Sequence, residues 1–235
     1  MSAAEVIQFT VFSELKVNSA RHMSSGYHCG VKKEQRKRIV DRHRDSLSRH
    51  GYHPNALYWS SREIQEIRFE VLAGIGIGNG DSVLDVGCGF ADFKRWFERI
   101  GTGHLDYTGI DLSPDLLAEA ESRHPDGTFY CGDLFDMDFT QQSFDWVILS
   151  GALNEQLGDQ GRYARRVIRR MFALCRKGVA FNLLDARHLN AHDLQSHQPE
   201  TMLDWCRTLT PACELHDAYL KNDFTVYMRR EDAAG

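Results

Sequence analysis

The sequence predicts an α/β domain: a mostly parallel sheet covered by helices, closed by a C-terminal antiparallel β-hairpin and preceded by a helical cap. Three observations predict it. Ser82-Val83-Leu84-Asp85-Val86-Gly87-Cys88-Gly89 reads as a buried strand running into a glycine turn. Short apolar runs then alternate with amphipathic ones, the pattern of a parallel sheet with crossover helices. Two β-rich segments, 212–219 and 224–228, flank Lys221-Asn222-Asp223 and form a terminal hairpin, which adds antiparallel pairing.

At 235 residues the chain holds one such domain with a sizeable core. Its 42% hydrophobic and 26% charged residues are ordinary for a globular protein. A net charge of −5 argues against a general polyanion binder. Six cysteines without a C-x-x-C pair imply reduced thiols and a cytoplasmic protein. No apolar run approaches the roughly 20 residues of a membrane span, and the N-terminus lacks a secretory pattern.

The elements follow in order. Residues 1–30 are weakly patterned and receive no function. Residues 31–50 are a basic helix candidate: Lys32, Lys33, Arg36, Lys37, Arg38, Arg42, Arg44 and Arg49 face only Glu34, Asp41 and Asp45. Such a helix is either a solvated face lying over the domain or a nucleic-acid contact. The expected division is an N-terminal arm and helical cap over 1–58 and the main domain over 59–235. Ser60 or Ser61 caps a helix carrying Ile64, Ile67, Phe69, Val71 and Leu72. Gly74 to Gly80 precedes the first strand, so it cannot serve a ligand at that strand's carboxyl end; it reads as a helix end and loop. Phe90, Phe93, Trp96, Phe97 and Ile100 open a helix after the glycine turn. Further strands are expected at 107–111, 128–131, 144–149 and 178–184, and helices from Ser113-Pro114 to Arg123, along Tyr163 to Cys175, and from Thr201 to Leu209.

The glycine turn carries the chemistry. Gly87 and Gly89 let the backbone turn sharply and approach a ligand with no Cβ in the way. Amide N–H groups at the start of the following helix are free for a ligand carboxylate. Asp85, at the strand end, suits an ammonium. A dinucleotide fingerprint needs G-x-G-x-x-G, and here Gly87-Cys88-Gly89 is followed by Phe90-Ala91-Asp92, without the third glycine. The arrangement points to S-adenosylmethionine.

Val83-Leu84-Asp85-Val86-Gly87-Cys88-Gly89, Ile110-Asp111, Gly132-Asp133-Leu134, Phe144-Asp145-Trp146-Val147 and the closing hairpin together resemble the class I S-adenosylmethionine-dependent methyltransferases, over about residues 60–230. The resemblance implies a Rossmann-like, seven-stranded sheet and methyl transfer. It places Asp85, Gly87, Cys88 and Gly89 on the methionine part of the cofactor, Asp111 with Leu112 on the ribose, and Asp133 with the Leu134 backbone on the adenine. Ala91 stands where many members have a further glycine. Ser150-Gly151-Ala152-Leu153-Asn154 ends the fourth strand, where the family faces the transferred methyl; the Asn/Asp-Pro-Pro-aromatic motif of amino-methylating members is missing. Ser150 leaves room near the sulfonium, and Asn154 either orients a substrate or caps the loop.

A narrower resemblance is to bacterial class I methyltransferases of unassigned substrate, carried by 59–69, Ser150 to Asn154 and 216–227. It sets Arg68 over the cofactor loop, to meet the cofactor carboxylate or to form a structural ion pair. Phe90, Tyr58 and Trp59 are candidates for the sulfonium, with core packing as the alternative. His188 and Asp185, after the fifth strand, are candidate bases. His188, His192 and His197 with Asp193 suggest a surface lid more than a metal site, and no metal is expected. The expected acceptor is a small molecule. The alternatives are an RNA methyltransferase using 32–49 and the arginines of 162–170, and a cofactor-binding protein without catalysis.

Overall fold

A computed structural model describes residues 30–189 and 191–231. The basic stretch forms α1 (Lys33–His50), followed by a 3-10 turn at Pro54–Leu57 and α2 (Arg62–Ala73). Ser61 caps α2 by accepting from the Ile64 amide. The alternation then runs β1 (Ser82–Val86), α3 (Asp92–Arg99), β2 (Asp106–Asp111), α4 (Pro114–Arg123), β3 (Thr128–Cys131), β4 (Phe144–Ser150), α5 (Arg162–Leu174), β5 (Cys175–Asp185), β6 (Ser196–His197), α6 (Pro199–Arg207), β7 (Cys213–His216) and β8 (Asp223–Arg229).

The strand order is β3-β2-β1-β4-β5-β8-β7, parallel except where β8 pairs with β5 and β7. The expected seven strands are present. An eighth, the two-residue β6, pairs in parallel with the end of β5 through Leu184 and Asp185. It is too short to carry a periodic signal. The order reverses between β1 and β4, so a crevice opens beyond their carboxyl ends.

Period-two alternation along β4 builds the core on both faces. Val147 and Leu149 join Val167, Ile168 and Met171 of α5. Trp146 and Ile148 join Phe69 and Leu72 of α2 and Phe93 and Phe97 of α3. A third, smaller cluster ties the cap to the glycine turn: Ala56, Phe90 and Leu116, flanked by Leu47, Tyr52 and Leu57. Phe90 is therefore a core residue. Among the described residues, no helix is long and apolar enough to cross a membrane. Residues 1–29, to which the sequence assigned no function, lie outside the described region.

Candidate functional site

A cavity of about 610 Å³ lies over the reversal point, roofed by α1, well within the range of small-molecule sites. Its floor is the glycine turn, with Gly87 and Gly89, and the end of β2, with Asp111 and Leu112. Ser150 to Asn154 forms one wall, and Tyr58, Trp59 and Ser60 another. A smaller pocket continues beneath, lined by Asp85, Gly87, Cys88, Gln65 and Ser150 among others.

The floor is held by short-range geometry. Gly87 has φ +76°, and a Cβ there would sit 2.2 Å from the Ala152 Cβ. Asp111 ties the turn to the next helix: Oδ2 accepts from the Gly89 amide at 3.0 Å and Oδ1 from the Ser113 amide at 2.8 Å. Asp85 is buried and accepts from the Tyr107 hydroxyl at 2.6 Å. Burial pushes its carboxyl up to about 7, with the charges of Asp111 and Asp92 acting the same way and the Tyr107 hydrogen bond opposing.

Two groups on α2 belong to the site, Gln65 in the lower pocket and Arg68 in the main cavity. Gln65 is buried; its Nε2 donates to Asp92 at 3.2 Å, leaving Oε1 without a partner. Arg68 is held by Asp223 of β8 through two hydrogen bonds, 3.0 Å from Nε and 2.6 Å from Nη2, and stacks over Trp59 at 4.4 Å. Its Nη1 is buried without a partner. The arginine is thus a structural ion pair whose side chain also lines the main cavity.

The roof was less legible. Ile39, Arg42 and His43 of α1 face the cavity at i, i+3 and i+4 spacing. Four arginines of α1 pair with carboxylates of the domain below. Arg36 pairs with Asp136 at 2.6 Å, Arg42 and Arg38 with Glu155 at 2.5 and 3.3 Å, and Arg44 with Asp115 at 2.9 Å. The cavity's imidazole is His43, edge-on to Tyr58 at 5.7 Å. Burial lowers its pKa, which favours the neutral ring.

Several expected residues stand elsewhere. His188 is exposed in a turn after β5, outside the cavity lining, because Arg187 anchors that turn on Asp185 and Asp217. Asp185 itself is buried; against burial, which acts upward, Arg187 holds its carboxyl below the usual range. Asp133 does not line the cavity. Its carboxylate accepts from the Val31 amide at 2.8 Å, the Phe135 amide at 3.0 Å and the Tyr163 hydroxyl at 2.9 Å. Leu134 is buried in the core. Asn154 does line the cavity, with Oδ1 buried and unpartnered. Among the described residues, no group of three or more His, Cys, Asp or Glu is placed to hold a metal.

Residues 83–178 match the family model described as a methyltransferase domain. The demethylmenaquinone methyltransferase of Thermotoga maritima is 35% identical over 95 residues, 39% of this chain and 41% of that one. Rv1506c of Mycobacterium tuberculosis, whose name assigns it to the methyltransferases only provisionally, is 28% identical over 162 residues, 63% of this chain and 93% of that one. The chain thus spans less than half the length of the first relative and nearly all of the second. Among solved structures, magnesium protoporphyrin IX methyltransferase from Synechocystis aligns with a TM-score of 0.58 at 13% identity, covering 83% of this chain and 96% of that one. The [4+2]-cyclase SpnF aligns with a TM-score of 0.59 at 20% identity, over 83% and 77%. At these identities the likeness is one of fold. The glycine turn and the strand order agree with these matches: residues 83–178 are similar to methyltransferase domains, and the fold is that of the class I S-adenosylmethionine-dependent methyltransferases.

Proposed function

We propose that the chain transfers the methyl group of S-adenosylmethionine to a small-molecule acceptor held under α1. The observation that carries this reading is the set of polar groups in and beside the lower pocket, which complements an amino acid. Asp85 and Gln65 Oε1 are acceptors for an ammonium; Arg68 Nη1 is a donor for a carboxylate. The glycine turn, where a Cβ would collide, is the cradle for the chain between them. Asp111 keeps lone pairs beyond the two it gives to Gly89 and Ser113, enough to accept from both ribose hydroxyls. Asp133 and Leu134 remain the family's adenine positions, yet here the adenine has Leu112, Val31 and Ile39 as its apolar neighbours in the cavity.

The cofactor brings a methyl group already activated by its sulfonium. What remains for the protein is to orient a nucleophile and exclude water. The ion-paired roof excludes water. Asn154, with its free Oδ1, orients an acceptor N–H or O–H from the end of β4. His43, not His188, is the histidine within reach of a proton in the cavity.

The relatives support a small acceptor: the names of the Thermotoga maritima protein and of the Escherichia coli trans-aconitate 2-methyltransferase both denote small-molecule substrates. An RNA acceptor gains less support. Four arginines of α1 are turned inward onto carboxylates. On α5, Arg165 and Arg169 lie over Trp205 and Arg170 donates to the Phe139 carbonyl.

The test is methyl transfer from labelled cofactor into a cell extract, with and without RNase, fractionated by size. Label in small metabolites, insensitive to RNase, is expected. Label lost on RNase treatment overturns the small-molecule reading. S-adenosylhomocysteine binding without any transfer favours a non-catalytic protein. Asp111→Ala is expected to weaken that binding tenfold or more, on the order of 1.4 kcal/mol.

A further inference from the structure

Asn182 sits on β5 directly beside Ser150 of β4, its pair in the parallel register. It is 1% exposed, and its carboxamide orientation is fixed by a donor it cannot refuse. The Gly151 amide, in a turn with φ +73°, donates to Asn182 Oδ1 at 2.9 Å. The oxygen must therefore face Gly151, which turns Nδ2 toward Ser150. Nδ2 donates to Ser150 Oγ at 3.3 Å. The serine hydroxyl is thereby used as an acceptor, and its own hydrogen finds no acceptor among the described residues. Ser150 lines both the main cavity and the lower pocket.

We infer that Asn182 is a positioning residue: it orients the Ser150 hydroxyl as a donor into the cavity that Ser150 and Arg68 both line, where it joins the Arg68 guanidinium on the cofactor's carboxylate. This rests on the cofactor placement proposed above. The chemistry is directional. The pocket already offers its acceptors, Asp85 and Gln65 Oε1, to the ammonium, so a carboxylate beside it needs donors. Without Asn182, Ser150 rotates freely and has to be ordered at the moment of binding. The same amide also fixes the Gly151 turn, so one buried side chain sets the wall and the polarity of the hydroxyl on it.

The experiment measures S-adenosylhomocysteine affinity by calorimetry and the melting temperature of the ligand-free chain. It compares wild type, Ser150→Ala, Ser150→Thr, Asn182→Leu and the double variant Ser150→Ala/Asn182→Leu. Ser150→Ala is expected to bind about tenfold more weakly, the loss of one hydrogen bond to a charged group. Ser150→Thr, which keeps the hydroxyl, stays within about threefold. Asn182→Leu also weakens binding. The double variant is expected to bind no worse than the weaker single variant, because the two act on one hydrogen bond. Losses that add across the pair, or Ser150→Ala binding within twofold of wild type, overturn the inference. If Asn182→Leu fails to fold, the contrast between alanine and threonine at 150 decides it. Wild-type chain that does not bind S-adenosylhomocysteine overturns instead the cofactor placement on which the inference stands.

Discussion

Tyr107 donates its hydroxyl hydrogen to Asp85 across 2.6 Å, and both side chains are buried where β1 and β2 run side by side. The hydrogen bond favours the charged carboxylate; burial disfavours it and prevails. A folded chain without ligand therefore holds the Asp85 proton to a higher pH than an unfolded one. The stability this gives is fully present below the ordinary value of 3.8 and is lost as pH rises through about 7. An ammonium in the pocket reverses the balance, because only the carboxylate attracts it. S-adenosylhomocysteine is expected to bind more tightly as pH rises through that range, with release of a proton. Calorimetry in buffers of different protonation enthalpy measures both effects. Asp85→Asn is expected to remove the pH dependence; a wild-type affinity that stays level across the range counts against the ammonium assignment.

Arg68 and Asp223 form a buried pair spanning α2 and β8. Burial pushes the Asp223 carboxyl up more than Arg68 pulls it down, so the pair is weak evidence for stability in itself. Breaking it is another matter. Arg68→Met strands a buried carboxylate and is expected to cost about 3–5 kcal/mol. Arg68→Met/Asp223→Leu is expected to regain most of that stability in denaturant titrations. It is not expected to regain cofactor affinity, because the Nη1 donor is still missing. Recovery of both would reduce Arg68 to a structural role.

How far these residues were legible follows from what fixes each of them. Val83, Leu84 and Val86 announce β1 because a strand covered on both faces is apolar at every position. Asp85 and Asp111 announce themselves by standing where such strands end. Arg68 is set over the cofactor loop by resemblance alone, and Asn182 gave no comparable signal. Their roles depend on which backbone or side-chain group lies opposite in the fold, and that is set by strand register and helix docking. His188 shows the converse. It follows β5 closely in sequence, yet the ion pairs of Arg187 direct its turn away from the cavity. On α1 the inward face was present as Ile39, Arg42 and His43 but disguised by polar residue types. Four of the arginines that suggested a nucleic-acid contact, Arg36, Arg38, Arg42 and Arg44, pair with carboxylates within the chain.

Glu155 receives two of those charges, from Arg38 and Arg42, and thereby pins the middle of α1 over the cavity. Each pair is partly exposed and contributes about 0.2–1 kcal/mol. Glu155→Gln is therefore expected to leave the melting temperature nearly unchanged while loosening the roof. Hydrogen exchange should rise in α1 and remain constant in β1 and β4. Raised salt should produce the same selective change in the wild-type chain, because screening acts on these exposed pairs first. Equal exchange in α1 of both chains would mean that its apolar contacts hold it without the ion pairs.

Ala91 occupies a position where the family resemblance leads one to expect a further glycine, and the structure shows the consequence. It opens α3 with φ +58° and is fully buried. A left-handed conformation costs a residue with a Cβ roughly 1–2 kcal/mol. Glycine removes that cost but adds about 0.4–1 kcal/mol of freedom to the unfolded chain. The difference favours glycine, so Ala91→Gly is expected to stabilise the chain by up to about 1 kcal/mol, or roughly 2–4 °C in melting temperature. Ala91 lines neither the cavity nor the lower pocket, so S-adenosylhomocysteine affinity should stay within twofold. A destabilised glycine variant would show that the Ala91 methyl, packed among Phe69, Phe93 and Leu117 in the core on the α2–α3 side, contributes more than its backbone conformation costs.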